Sequence, residues 1–233
     1  MTEQQLSSGF PVYVAGNTDA PRAVIVIQEA FGVNSHIRSV ADRFAEAGFF
    51  AIAPHLFHRD GSPEIAYDDF PSAMKYMANL NKDGLTNDLK ATTDFLATLG
   101  YTAANIGIVG YCMGGTVTFY TATTGTVGAA ASFYGGGVDA GRFGLPSLID
   151  LAPSLRCPWL GLYGDLDAGI PVEQVERLRT ATAASGQSTD IIRYADGDHG
   201  FHCDGRVQVY NEAAATDAHQ RTLDFFRATL TDR

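Results

Sequence analysis

Six short runs rich in apolar and β-branched residues punctuate the chain: 23–28 (AVIVIQ), 49–53 (FFAIA), 105–109 (NIGIV), 128–133 (GAAASF), 158–162 (PWLGL) and 190–194 (DIIRY). Several are apolar at consecutive positions, the pattern of strands covered on both faces of a parallel sheet. Between them the period changes to three or four residues. Leu85, Leu89, Thr92, Leu96 and Leu99 form one such stripe, the mark of a helix with one buried face. IRSVADRFAEAG closes on Gly48 as a helix C-cap. VEQVERLRTATAASG follows Pro171 and stops at Gly186, and NEAAATDAHQRTLDFFRATL makes a long closing helix. This alternation predicts right-handed crossovers and an α/β fold, a mostly parallel central sheet with helices on both faces. No repeat, low-complexity segment or long linker divides the 233 residues, so a single domain, 1–233, is expected.

Ligands of such sheets bind beyond the carboxyl ends of the strands, so the strand exits are where chemistry is to be sought. After 105–109 comes Gly110-Tyr111-Cys112-Met113-Gly114-Gly115, a G-x-nucleophile-x-G pattern with cysteine in the central place and a helical stretch, MGGTVTFYTA, overlapping its end. The turn is so tight that side chains at the flanking glycines would collide with the strand and neighbouring helix. The thiol projects into the crevice at a helix N-terminus, which favours a thiolate, and the Met113 N–H points at a developing oxyanion. In isolation the pattern equally describes a glycine-rich turn with an inert cysteine.

A nucleophile needs a base, and the base an orienting acid. Asp165 and Asp167 follow 158–162, and His199 and His202 follow 190–194, in the order nucleophile, acid, histidine and on one edge of the sheet. Glu29 and Ala30 leave 23–28 at the same edge. Glu29 either accepts a hydrogen bond from Cys112 or raises the thiol pKa by repulsion, and the Ala30 N–H offers a second oxyanion donor. Phe31, Tyr111 and Tyr134 are candidate pocket walls.

The chain's net charge of −10 argues against phosphate backbones or anionic lipid as partners, so neither nucleic acid nor membrane is expected. No run is long and apolar enough to span a bilayer, and MTEQQLSSGF lacks the pattern of a signal peptide. Cys112, Cys157 and Cys203 are odd in number and without metal-type spacing, which fits reduced thiols and a cytoplasmic location.

Together, Gln28-Glu29-Ala30-Phe31-Gly32-Val33-Asn34, Gly110 to Gly115, Gly164-Asp165-Leu166-Asp167-Ala168-Gly169-Ile170-Pro171 and His199-Gly200-Phe201 resemble the dienelactone hydrolases, over nearly the whole chain. The resemblance implies an α/β-hydrolase fold with a minimal lid, a Cys112–His199–Asp167 triad, and a glutamate at Glu29 that holds the resting thiol. It also implies backbone donors at Ala30 and Met113, and an ester or lactone as small-molecule substrate, with no metal or organic cofactor. Asp167 rather than Asp165 then matches the acid. His202 becomes a pocket or surface residue, and Phe201 joins the pocket.

One departure concerns the two arginines with which the family's type member clamps a substrate carboxylate. Cys203 stands at one of those places, and no arginine occurs between Arg59 and Arg142. Arg206, Lys75 or Lys82 are the available replacements, lysine lacking the bidentate fork. Weaker selection for anionic dienelactone and better tolerance of neutral esters are therefore expected, with slow phosphotriester hydrolysis as a side activity. Monomer or homodimer suits the size. The alternative is a non-catalytic thiol-sensing or ligand-binding module on the same fold.

Overall fold

The computed structural model describes residues 1–6 and 9–233. Eight strands form one sheet: β1 (Thr2–Gln5), β2 (Pro11–Ala15), β3 (Arg22–Ile27), β4 (Phe49–Pro54), β5 (Ile106–Tyr111), β6 (Ala129–Phe133), β7 (Trp159–Gly164) and β8 (Thr189–Tyr194). Their spatial order is β1-β2-β4-β3-β5-β6-β7-β8. The pairs β1–β2 and β2–β4 are antiparallel and the rest parallel. The helices are α1 (Ser35–Glu46), α2 (Phe70–Ala78), α3 (Lys82–Thr98), α4 (Met113–Ala122), α5 (Leu148–Leu151), α6 (Val172–Ala183) and α7 (Glu212–Thr229). This is the mostly parallel α/β-hydrolase architecture.

The uninterrupted apolar strands are those with both faces covered. Every residue of β4, β5, β6 and β7 is buried. On one face α1 and α7 meet through Phe44 and Phe226, whose ring centroids lie 6.2 Å apart. On the other, α3 reaches α4 through a 2.9 Å hydrogen bond between the hydroxyls of Thr86 and Tyr120. Asparagine starts three of the helices: the side chains of Asn34, Asn81 and Asn211 accept from the N–H groups of Ile37, Gly84 and Ala214.

β1, β2 and α2 escape the hydrophobic pattern for separate reasons. β1 is an exposed polar edge, TEQQ, and β2 is a short antiparallel strand that opens on proline. α2 buries only Ala73, so no stripe marks it.

From β3 the chain goes to β4 on one side, and β5 then lies on the other side of β3. The loops leaving β3 and β5 thus part at the point where strand order reverses, which opens a crevice there. α4 enters this crevice under severe crowding and is buried at every position. A Cβ on Gly114 would lie 2.5 Å from the carbonyl oxygen of Gln28 and 2.6 Å from that of Ile27, and one on Gly110 would strike the Gly114 carbonyl. A buried hydrogen-bond chain holds the turn: Trp159 Nε1–H donates to Ser132 Oγ at 3.0 Å, and Ser132 Oγ–H donates to the Gly115 carbonyl at 2.9 Å.

Gly114→Ala pushes against two backbone carbonyls and the Cγ2 methyl of Ile27. It is expected to cost about 1–3 kcal/mol, which at this chain length lowers Tm by roughly 2–4 °C per kcal/mol. Thermal unfolding followed by circular dichroism measures it.

Candidate active site

Cys112 takes the corner between β5 and α4 with φ 56° and ψ −116°, a positive φ that side chains avoid. The N–H of Cys112 is held by the Phe133 carbonyl at 3.1 Å, and the Cys112 carbonyl accepts from Gly115 N–H at 3.0 Å. The strained corner is therefore fixed from both sides. Its thiol is half-buried, and Cys112 and His199 line the same cavity.

Across the crevice, His199 Nδ1 lies 2.6 Å from Asp167 Oδ2. Asp167 is itself fixed, because Oδ1 accepts from the N–H groups of Gly169 at 2.8 Å and Ile170 at 3.2 Å. The imidazole is 31% exposed and the carboxylate 2%. Desolvation pulls the His199 pKa down, but the Cys112 charge and the hydrogen bonds to Asp167 and Cys112 outweigh it and push the pKa up to about 10. The folded site thereby holds the His199 proton more tightly than a free imidazole would. Asp198, missed in the sequence, accepts from the His199 backbone N–H at 2.6 Å and so fixes the loop that carries the ring. Asp165 serves elsewhere, in a bidentate pair with Arg193 at 2.7 and 2.8 Å.

A cavity of about 890 Å³ joins these groups. Cys112, His199, Asp167, Ala30, Met113, Phe31 and Arg206 all line it. Among the described residues, no backbone carbonyl takes the N–H of Ala30 or of Met113. α2 forms an apolar wall through Phe70, Met74 and Met77, and Phe143 and Ile170 add to the apolar lining. Phe70 and Met74 are 55% and 48% exposed, so the wall is partly open to solvent.

Four of the expected pocket residues do not line the cavity. Tyr111, Tyr134, Phe201 and His202 are packed against one another in the core. The His202 ring lies 4.9 Å from that of Tyr111 and 5.1 Å from that of Phe133, and burial drives its pKa far down, so it is a neutral core histidine. Tyr134 still touches the site from behind, its ring 5.1 Å from His199 and its hydroxyl donating to Glu29 Oε1 at 3.3 Å. Glu29 is buried, and Tyr134 rather than Cys112 is its hydrogen-bond partner.

The expected lack of arginine is also corrected. Arg142 lines the cavity together with Arg206, whereas Lys75 and Lys82 do not. Both guanidiniums pass over glycines. A Cβ on Gly136 would lie 3.0 Å from Arg142 Nη1, and one on Gly200 would strike Arg206. Neither arginine belongs to an ion pair among the described residues, while Arg177, Arg179 and Arg193 are paired. Arg142 lies in the long loop between β6 and α5, and nothing in the local sequence announces where that loop folds.

Among the described residues no helix is long and apolar enough to cross a membrane. The family model described as "Dienelactone hydrolase family" matches residues 10–230. A protein of Salmonella typhimurium named "Putative carboxymethylenebutenolidase" is 36% identical over 223 residues, covering 93% of this chain and 82% of its own length. The crystal structure of a "Putative Dienelactone Hydrolase" from Klebsiella pneumoniae superposes with a TM-score of 0.88 at 36% identity, covering 97% of both chains. A dienelactone hydrolase-like promiscuous phosphotriesterase from metagenomic libraries is 20% identical with a TM-score of 0.78 over 98% of both chains, a likeness of fold.

A histidine whose pKa rises from 6.5 to about 10 on folding binds its proton more tightly in the folded state. Its contribution to stability is complete below about pH 6.5 and is lost as pH rises to about 10. The Tm advantage of wild type over His199→Gln is therefore expected to shrink across that window. An advantage that is constant with pH would contradict the assignment.

Proposed function

This chain belongs to the dienelactone hydrolase family, and from that premise we propose that it hydrolyses esters or lactones with Cys112 as nucleophile, through a thioester acyl-enzyme. The observation that carries the reading is the 2.6 Å carboxylate–imidazole bond of Asp167 and His199 on the cavity that Cys112 also lines. A thiol-sensing module needs no such orienting acid.

His199 takes the Cys112 proton, and Asp167 holds the ring with Nδ1–H toward itself and Nε2 toward sulfur. Thiolate attack on the acyl carbon generates an oxyanion within reach of the Ala30 and Met113 N–H groups, each worth about 3–4 kcal/mol in such sites. The imidazolium protonates the departing alkoxide, and the neutral ring then deprotonates the water that cleaves the thioester. Glu29, buried behind the site and hydrogen-bonded to Tyr134, modulates the thiol. The chain acts as one α/β-hydrolase domain on a small molecule.

The lining supports a substrate with an apolar body against Phe31, Phe70 and Met74. Neutral esters fit that wall, and Arg142 and Arg206 add a place for a carboxylate. The same N–H donors would steady the oxygen of an attacked phosphotriester, which supports a slow side activity there.

Wild type is expected to release a burst of nitrophenol from a nitrophenyl ester, and Cys112→Ala to abolish both burst and turnover. Asp167→Asn should lower kcat about 10³–10⁴-fold, as loss of an orienting acid does elsewhere. Phosphotriester turnover unchanged in Cys112→Ala would remove the side activity from this site. A burst that survives the same substitution would refute the nucleophile.

The arginines have their own test. Replacing both Arg142 and Arg206 by alanine should raise KM for a carboxylate-bearing lactone about tenfold or more, the loss of roughly one charge-assisted hydrogen bond, while a neutral aryl ester keeps its KM. Equal effects on both substrates would contradict a carboxylate subsite.

A further inference from the structure

Three buried side chains that do not line the cavity converge from three segments: Glu29 after β3, His36 in the first turn of α1, and Cys203 in the loop that follows His199. One ligating atom from each lies within 4.8 Å of the other two. The residues are 1%, 3% and 0% exposed. Glu29 Oε2 and His36 Nε2 have no hydrogen-bond partner. A buried polar atom without a partner is destabilising, more so when charged, so two together in one place call for an explanation.

We infer that Glu29, His36 and Cys203 form a binding site for a divalent cation of the Zn2+ class. The donor set is thiolate, imidazole and carboxylate, which suits zinc and disfavours magnesium or calcium. His36 Nδ1 lies 2.8 Å from Asp204 Oδ1, the outer carboxylate–histidine contact by which proteins fix a ligating ring. With Nδ1–H donated outward, Nε2 keeps its lone pair for the cation.

Ligands about 2.0–2.3 Å from one tetrahedral ion sit roughly 3.5 Å apart. The side chains therefore need to draw in by no more than about 1 Å. Binding breaks the Cys203 S–H bond, forms a metal–sulfur bond and releases the proton to solvent. The resulting cation, thiolate and carboxylate sum to zero charge, which keeps burial affordable, and water takes the fourth position. The surface is one residue away, since the Asp204 side chain is half exposed. Occupancy ties up Glu29, and insofar as Glu29 modulates Cys112, which rests on the function proposed above, the cation also tunes the enzyme.

Co2+ titration of metal-free full-length Cys112→Ala tests the site, because that background removes cation capture by the Cys112–His199 pair. One equivalent should bind, with a thiolate-to-cobalt charge-transfer band that Zn2+ abolishes by displacement. Cys203→Ser in the same background should lose the band. Asp204→Asn, a surface change unlike the buried one to fold, should keep it and weaken binding about 10–100-fold. Absence of saturable binding, a band that persists in Cys203→Ser, or unchanged affinity in Asp204→Asn would overturn the site. Nitrophenyl ester turnover by metal-free wild type is measured alongside, so that failure of the cation site and failure of the nucleophile remain distinguishable.

Discussion

The close approach of α4 to the ends of β3 and β6 is the constraint from which the crevice derives its chemistry. Gly110 and Gly114 have no room for a Cβ because backbone carbonyls of the strand, the turn and the loop after β3 fill it. With the helix pressed that far in, the chain turns only by placing Cys112 at φ 56°. Such a conformation costs of order 1–3 kcal/mol and persists where its surroundings over-determine it. Here the Phe133 carbonyl, the Ser132–Trp159 chain and the wholly buried α4 do so. The strain aims the sulfur into the cavity, beside the helix N-terminus and the unpaired N–H of Met113.

Charge is then arranged around that fixed point by separate strand exits. β7 delivers Asp167, held by two backbone N–H groups, and β8 delivers His199, anchored through Asp198. The carboxylate cannot swing away and the ring cannot tilt without losing a 2.6 Å bond. β3 delivers both Ala30, which lines the cavity, and Glu29, turned behind it toward Tyr134. One strand end thus supplies a backbone N–H without a carbonyl partner beside the cavity and a buried carboxyl group behind it.

What could be read in the sequence follows from which signals are local. The apolar runs at β3 to β7 report burial on both faces and the run at β8 one buried isoleucine at the sheet edge, so they were legible, each within a residue or two of its observed ends. The glycine spacing around Cys112 reports backbone crowding, equally local. β1 left no such trace because an edge strand of TEQQ buries little. The pocket was least legible. Tyr111, Phe201 and His202 sit near site residues in sequence, yet strand alternation and tight turns send their rings into the core, where they pack tilted or edge-on at 4.6–6.3 Å with one another, Tyr134 and Phe133. Arg142 and the α2 wall reach the cavity from loops whose path is a tertiary matter. Counting arginines near the motifs missed a cation brought in by the loop after β6.

The claim that the thiol at this corner is the group acylated during turnover is tested most directly by trapping. Wild type mixed with a slowly deacylated ester, quenched in acid and digested, should give one acylated peptide, the one spanning Cys112, with a thioester that hydroxylamine removes. Acylation at Cys203, Cys157 or a serine, with the Cys112 peptide unmodified, would contradict the account.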